Sequence, residues 1–376
     1  MPQFDCAIAL RRELHNIAEP SGEEVLTEAY IVDFLRRNGI AVEHSIAGHG
    51  VVGLIDSGRE GPVVMLRADM DAIVYHDPDH PEQMVAEHTC GHDAHIACLL
   101  AAGLALKNSV DCGRVKLVFQ PSQENLLGAL AMIDAGVLDD VDYALSSHVM
   151  PIQDLPFGIF SPSVHHNAAA TVRVTVHGVQ AHAAYEHLGI NPVEAAAHLI
   201  SGTGLMKLNA QKCWSIKATR ISGEPGSSAT IARHVEVTFD VQTEDDATMD
   251  ELLHKLRNIV DGTARIFGTH IDLSIKNHCP AYDYDPEFES LISDTIIELF
   301  GEAALGPHCA CGGEDFHFYK KARPTLRCAY FGIGAACEPG LHTRGMHFDE
   351  SILPQAARLL TRITQKLLSA KNLKVV

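Results

Sequence analysis

The sequence has no long apolar run: hydrophobic residues make up 46% of its 376 positions, yet they never string together to the length of a bilayer span. A membrane-spanning chain is therefore not expected. It also lacks an excess of positive charge, since 29 Lys and Arg face 48 Asp and Glu. The resulting net charge of −19 repels nucleic acid and anionic lipid, so neither is an expected partner. No apolar signal-peptide core separates Met1-Pro2-Gln3-Phe4-Asp5-Cys6 from the charged segment Arg11-Arg12-Glu13-Leu14-His15. No disulfide framework is visible either. The ten cysteines are scattered, and Cys309 and Cys311 form no C-x-x-C motif. Together these absences give the expectation of a cytoplasmic globular protein with free thiols. There is no internal repeat and no low-complexity tract.

What is present begins with length. A chain of 376 residues is too long for one ordinary core, so two domains are expected. Among its 23 histidines, the densest run is His88-Thr89-Cys90-Gly91-His92-Asp93-Ala94-His95, immediately before an apolar helical stretch through Leu106. A thiolate, imidazoles and a carboxylate crowning a buried helix have the donor types of a metal site. The bland alternative is a capped helix start with structural histidines.

The surrounding pattern favours the metal. Val63–Asp69, Val115–Gln120 and Tyr143–His148 read as short buried strands separated by helices, the mark of βα units in a sheet covered on both faces. Asp69 and Asp71, then Gln123 and Glu124, then His148 fall at or past the strands' C-terminal ends, where open α/β sheets place ligands. From about 167 to 278 the pattern changes to βαββαβ, the ferredoxin-like order. The expected architecture is an α/β catalytic domain built from 1–166 and 279–376, with an inserted α+β lid and dimerisation domain at 167–278.

Several ordered motifs make the chain resemble a known family, the M20 metallopeptidases, and within it the D-type amidohydrolases of N-acyl amino acids, hippurate and auxin conjugates. They are Leu66-Arg67-Ala68-Asp69-Met70-Asp71-Ala72, Cys90-Gly91-His92-Asp93-Ala94-His95, Phe119-Gln120-Pro121-Ser122-Gln123-Glu124, His148-Val149, Gly178 to Ala184, Gly312-Gly313-Glu314-Asp315-Phe316 and Leu341-His342. The resemblance implies two divalent ions per chain, manganese or zinc, with Cys90, His92, Glu124, His148 and His342 as ligands. It also implies a homodimer formed through the inserted domain. In that arrangement His182 reaches an active site to hydrogen-bond the oxyanion, the partner subunit being one source of it. Asp71 and Asp93 are placed to orient ligand imidazoles, with capping as their alternative role. Glu314 and Asp315 read as loop-shaping residues rather than ligands.

Three departures qualify the likeness. Where the family has paired glutamates, this chain has Gln123-Glu124, and an amide cannot take a proton from water. Four readings follow: no strong base is needed, another group serves, Glu124 is base instead of ligand, or a Glu-to-Gln change traps substrate. Ala229 and Gln242 stand where relatives carry the asparagine and arginine that bind a substrate carboxylate. Asn125-Leu126-Leu127 replaces the usual glycines. The expected function is hydrolysis of an amide or related C–N bond in a small acylated amine by metal-activated water. The alternative is a catalytically weakened member that binds metal or a small ligand in a regulatory or sequestering role.

Overall fold

The computed structural model describes residues 4–80, 82–224 and 226–369. The chain divides into two compact units. Met1–His165, Asp283–Cys311 and Asp315–Val376 form the first, and His166–Tyr282 with Gly312–Glu314 form the second. The Gly312-Gly313-Glu314-Asp315 run is thereby shared between them.

The first unit is built on a seven-stranded sheet in the order Ala41–Ile46, Gly50–Asp56, Arg114–Gln120, Val63–Asp69, Tyr143–Pro151, Arg327–Cys337, Phe160–Ser161. Its four central strands run parallel. Buried on both faces, they carry near-continuous apolar sequence, and every residue of Val63–Asp69 is buried. Parallel strands put their C-terminal ends on one edge, so the polar residues that follow them gather there. The strand read as ending at His148 continues to Pro151, because the long neighbour Arg327–Cys337 pairs with it through Gly332↔His148 and Cys337↔Pro151. Helix His92–Leu106 is buried almost all round, packed among Cys6–Leu14, the strand Val63–Asp69 and the amphipathic helix Leu353–Ser369.

The second unit has the expected βαββαβ order. Ala168–His177, Pro192–Thr203, Trp214–Gly223, His234–Thr243, Asp246–Phe267 and Ile271–Cys279 follow in turn. The sheet is antiparallel, with Trp214–Gly223 and Ile271–Cys279 at its edges. Alternation decides its faces: Val172, Val174 and Val176 join Val235, Val237 and Phe239 in the core, while Arg173, Thr175 and His177 lie on the other face. Its helices begin on side-chain caps, Asn191 accepting from the Val193 N–H and Asp245 from the Thr248 N–H. Among the described residues no helix is long and apolar enough to cross a membrane.

Candidate metal centre

In the first unit, donors from four chain segments converge. Cys90 and His92 stand at the start of helix His92–Leu106, Glu124 lies past strand Arg114–Gln120, His148 sits on strand Tyr143–Pro151, and His342 comes from the late loop. Cys90 Sγ is 3.4 Å from His148 Nε2 and 3.2 Å from His342 Nε2. Glu124 Oε1 is 3.2 Å from His342 Nε2 and 3.6 Å from His92 Nε2. These atoms form two overlapping clusters, Cys90 with His92 and His148, and Cys90 with Glu124 and His342.

The surroundings aim the donors inward. His92 Nδ1 donates to Asp71 Oδ1 at 3.2 Å, and His148 Nδ1 to the Val149 carbonyl at 2.6 Å, so in each ring Nε2 is the nitrogen turned toward the cluster. The Asp71 carboxylate also accepts from Ser21 Oγ at 2.6 Å and from the Glu124 N–H at 2.9 Å, tying one ligand's ring to another's backbone. The His342 N–H bonds the Thr89 carbonyl at 2.9 Å, which seats that loop beside Cys90. His92 Nε2 and Glu124 Oε1 are buried without a hydrogen-bond partner. A set of converging acceptors that leaves two buried atoms unmatched fits a cation and is costly without one.

Electrostatics agree. Burial pushes the His148 pKa down to about 3, helped by neighbouring His95, and so keeps the ring neutral, the form in which an imidazole can bind a metal. Burial raises the Cys90 thiol well above its usual value, reinforced by Glu124. Burial also opposes charge on His92, but the Asp69 carboxylate overcomes it and holds its pKa well above the ordinary histidine value. A field that draws a proton onto a buried imidazole equally draws a divalent cation.

The other expected residues fall as follows. Gln123 is buried at 7% exposure beside Glu124, inside a turn where Ser122 and Leu126 adopt φ of +58° and +60°. Those left-handed conformations are strained for residues with a Cβ. Asp93 touches other groups than the ligand rings: it pairs with Arg11 Nε at 2.9 Å and His15 Nδ1 at 2.7 Å, because it points from the first helical turn toward helix Cys6–Leu14. His88 is buried, and burial lowers its pKa to about 4. His182 belongs to the second unit and is exposed, its Nδ1 accepting the Ala184 N–H at 3.0 Å. That bond leaves Nε2 as the proton-bearing nitrogen. Ala229 lies next to it in space, its carbonyl taking the Ala183 N–H at 2.8 Å. Gln242 Nε2 donates to Asp240 Oδ2 at 3.3 Å.

Sequence reasoning missed the supports behind the donors. His95 donates from Nδ1 to Asp69 Oδ1 at 2.7 Å and accepts the Val149 N–H at 3.1 Å, linking the ligand helix to the ligand strand. Arg67 reaches Asp69 at 2.7 Å and Asp315 at 2.8 Å, and Gln120 bonds Asp315 at 2.8 Å. Glu24 accepts the Ser122 N–H at 2.8 Å. The available signal was an arginine inside a wholly buried strand, which demands buried carboxylates around it.

Comparison with known proteins agrees with this geometry. The chain is 28% identical to the N-acetyl-L-cysteine deacetylase of Bacillus subtilis (strain 168), over 97% of this chain and 89% of the relative. It is 27% identical to the thermostable carboxypeptidase 2 of Saccharolobus solfataricus, over 94% of this chain and 93% of that one. In fold it matches the Bacillus subtilis YXEP protein, described as a dinuclear metal-binding peptidase of the M20 family, with a TM-score of 0.81 at 24% identity, covering 98% of this chain and 99% of the other. Residues 65–366 match peptidase family M20/M25/M40, a span that takes in the converging donors, the whole second unit and most of the first, and the chain belongs to that family.

Proposed function

We infer that the chain is a metal-dependent amidohydrolase that cleaves an amide or related C–N bond of a small acylated amine or amino-acid derivative. The observation that carries this is the convergence of Cys90, His92, Glu124, His148 and His342, with His92 Nε2 and Glu124 Oε1 buried and unmatched. We assign those five residues as ligands of two divalent ions, manganese or zinc; the thiolate and imidazole donors favour zinc. Ions bound there supply Lewis-acid polarisation of the scissile carbonyl and acidify water.

The chain's own residues do the rest. Asp71 orients the His92 ring and pins the backbone of Glu124, so one carboxylate holds two ligands in register. Gln123 offers an amide N–H and a carbonyl that can orient a polar substrate group, but it takes no proton. His182 presents a neutral Nε2–H suited to a developing oxyanion. We place it at a metal centre within a homodimer formed through the inserted domain, a reading supported by the Gly178–Ala184 motif. Cytoplasmic location is supported by Cys98, Cys213 and Cys328, which are free thiols. The substrate is a small molecule, with neither nucleic acid nor membrane as partner.

The test is turnover of a panel of N-acyl amino acids and other acylated amines by protein stripped with chelator and reloaded with zinc or manganese. Amine release that requires metal is expected. Fully metal-loaded protein that releases no amine from any member would overturn the reading. The dimer is tested by mixing His182→Ala and Cys90→Ala chains. Recovery of activity in verified mixed dimers is expected, and its absence rejects service across subunits.

A further inference from the structure

A second set of metal-type donors lies in the other unit, on the sheet face that the helices leave uncovered. His177 ends strand Ala168–His177, and His270 and Asp272 stand at the start of its hydrogen-bonded neighbour, Ile271–Cys279. His177 Nε2 is 2.7 Å from Asp272 Oδ2, and His270 Nε2 is 2.9 Å from Asp272 Oδ1. The two rings stack with centroids 5.3 Å apart, so one carboxylate is gripped from the same side by two imidazole nitrogens. All three side chains offer ligand atoms within 4.8 Å of one another.

An ordinary surface ion pair holds long side chains loosely. Here the backbone is fixed. The His177 N–H donates to the His270 carbonyl at 3.0 Å, the Thr269 hydroxyl bonds the His177 carbonyl, and Gly268 ends the preceding helix at φ +62°. Short side chains on two locked strand ends lose little freedom when they close on an ion, the condition for a preorganised site. His234 lies directly across from His177 on the third strand, so a further imidazole is near.

We propose that His177, His270 and Asp272 form a surface binding site for a single divalent transition ion, zinc being the best match. Two imidazoles and a carboxylate are the donor set of a three-residue zinc site that leaves a coordination position for water or another ligand. The same set disfavours calcium and magnesium, which take oxygen. On binding, each ring moves its proton from Nε2 to Nδ1, and the ion takes the place of the two N–H···O bonds. The net charge of −19 favours approach of the cation.

The experiment uses the whole chain stripped of metal and titrated with zinc alone, followed by calorimetry and metal analysis. Wild type is expected to bind one zinc ion more per chain than His177→Gln/His270→Gln. A His92→Ala/His148→Ala chain should still bind zinc at the surface site, and copper(II) substituted into that chain should give the spin-resonance signature of two nitrogen ligands. Circular dichroism checks that the variants fold. Equal zinc stoichiometry in folded wild type and His177→Gln/His270→Gln overturns the proposal, as does loss of all zinc binding from a folded His92→Ala/His148→Ala chain.

Discussion

The two units solve opposite interior problems. The first encloses charge: the side chains of Arg67, Asp69, Asp71, Asp93, Asp315 and His92 are all at 1% exposure or less, Asp93 held by Arg11 and His15 and the rest by one another. The second encloses valine, leucine and phenylalanine, and keeps its ion pairs, such as Arg233 with Glu224 and Lys212 with Glu244, at the surface. Desolvating charges costs several kcal/mol per ion unless partners compensate, so a charged interior is weak evidence of stability and stronger evidence of use. An apolar interior needs no such explanation. The contrast marks the first unit, which also has a large apolar core, as the one whose interior carries buried charge.

The strongest break in that contrast comes from removing a ligand. His148→Ala should strip most of the divalent metal and lower hydrolysis by about 10³-fold or more, the equivalent of several kcal/mol of charge stabilisation. Metal analysis beside a rate assay checks it, and full occupancy in the variant would remove His148 from the ligand set. Next is the opposite kind of interior. Phe239 is fully buried in the second unit, and Phe239→Ala should cost about 3 to 5 kcal/mol by denaturant unfolding while metal content stays unchanged. Metal loss in the folded variant would mean that the two interiors do not act separately.

A third change addresses the chemistry within the charged unit. Gln123→Glu should raise hydrolysis of simple N-acyl amino acids by about 10²-fold if a missing base limits the reaction, the usual worth of general acid–base catalysis. An unchanged rate with metal in place points to another base.

The smallest effect concerns the charged unit's acid sensitivity. Burial opposes ionisation of Asp285, but hydrogen bonds from Arg327 at 2.6 Å win and hold its carboxyl below the usual range. The unfolded chain therefore binds the proton first as pH drops. The pair's contribution is complete at neutral pH and is lost as pH falls through the carboxylate range and below it. Asp285 also caps helix Pro286–Phe300 through the Phe288 N–H. Asp285→Ala should cost about 1 kcal/mol at neutral pH and flatten that part of the acid profile, read by thermal unfolding across pH.

Periodicity made the second unit legible almost in full, because its central strands Ala168–His177 and His234–Thr243 alternate and its long helix has one apolar stripe. The parallel strands of the first unit were legible as apolar runs. Its edge strand Ala41–Ile46, the neighbouring Gly50–Asp56 and the hairpin of Ile73–His76 with Met84–Glu87 were not. Ala41–Ile46 is mostly exposed and polar and takes its strand form from pairing with its neighbour, which local pattern does not record. The donors Cys90, His92, Glu124 and His148 stood out by type and place in the sequence, and His342 by the family resemblance. Among the surrounding groups Asp71 was read in advance as orienting an imidazole, whereas Arg67 and His95 were not, since their partners come from distant segments that only the fold unites.

Gly91 gives this arrangement a consequence for how the centre can change over time. It sits at φ +86° between Cys90 and His92, and a Cβ there would lie 2.3 Å from the Val149 side chain, beside His148. Each candidate donor can be exchanged for another by a substitution confined to its own side chain. No single substitution at position 91 is so confined: any side chain would twist the turn that carries two ligands and push on the strand that carries a third. Variation at this centre is thus open at its donors and closed at the residue that binds nothing.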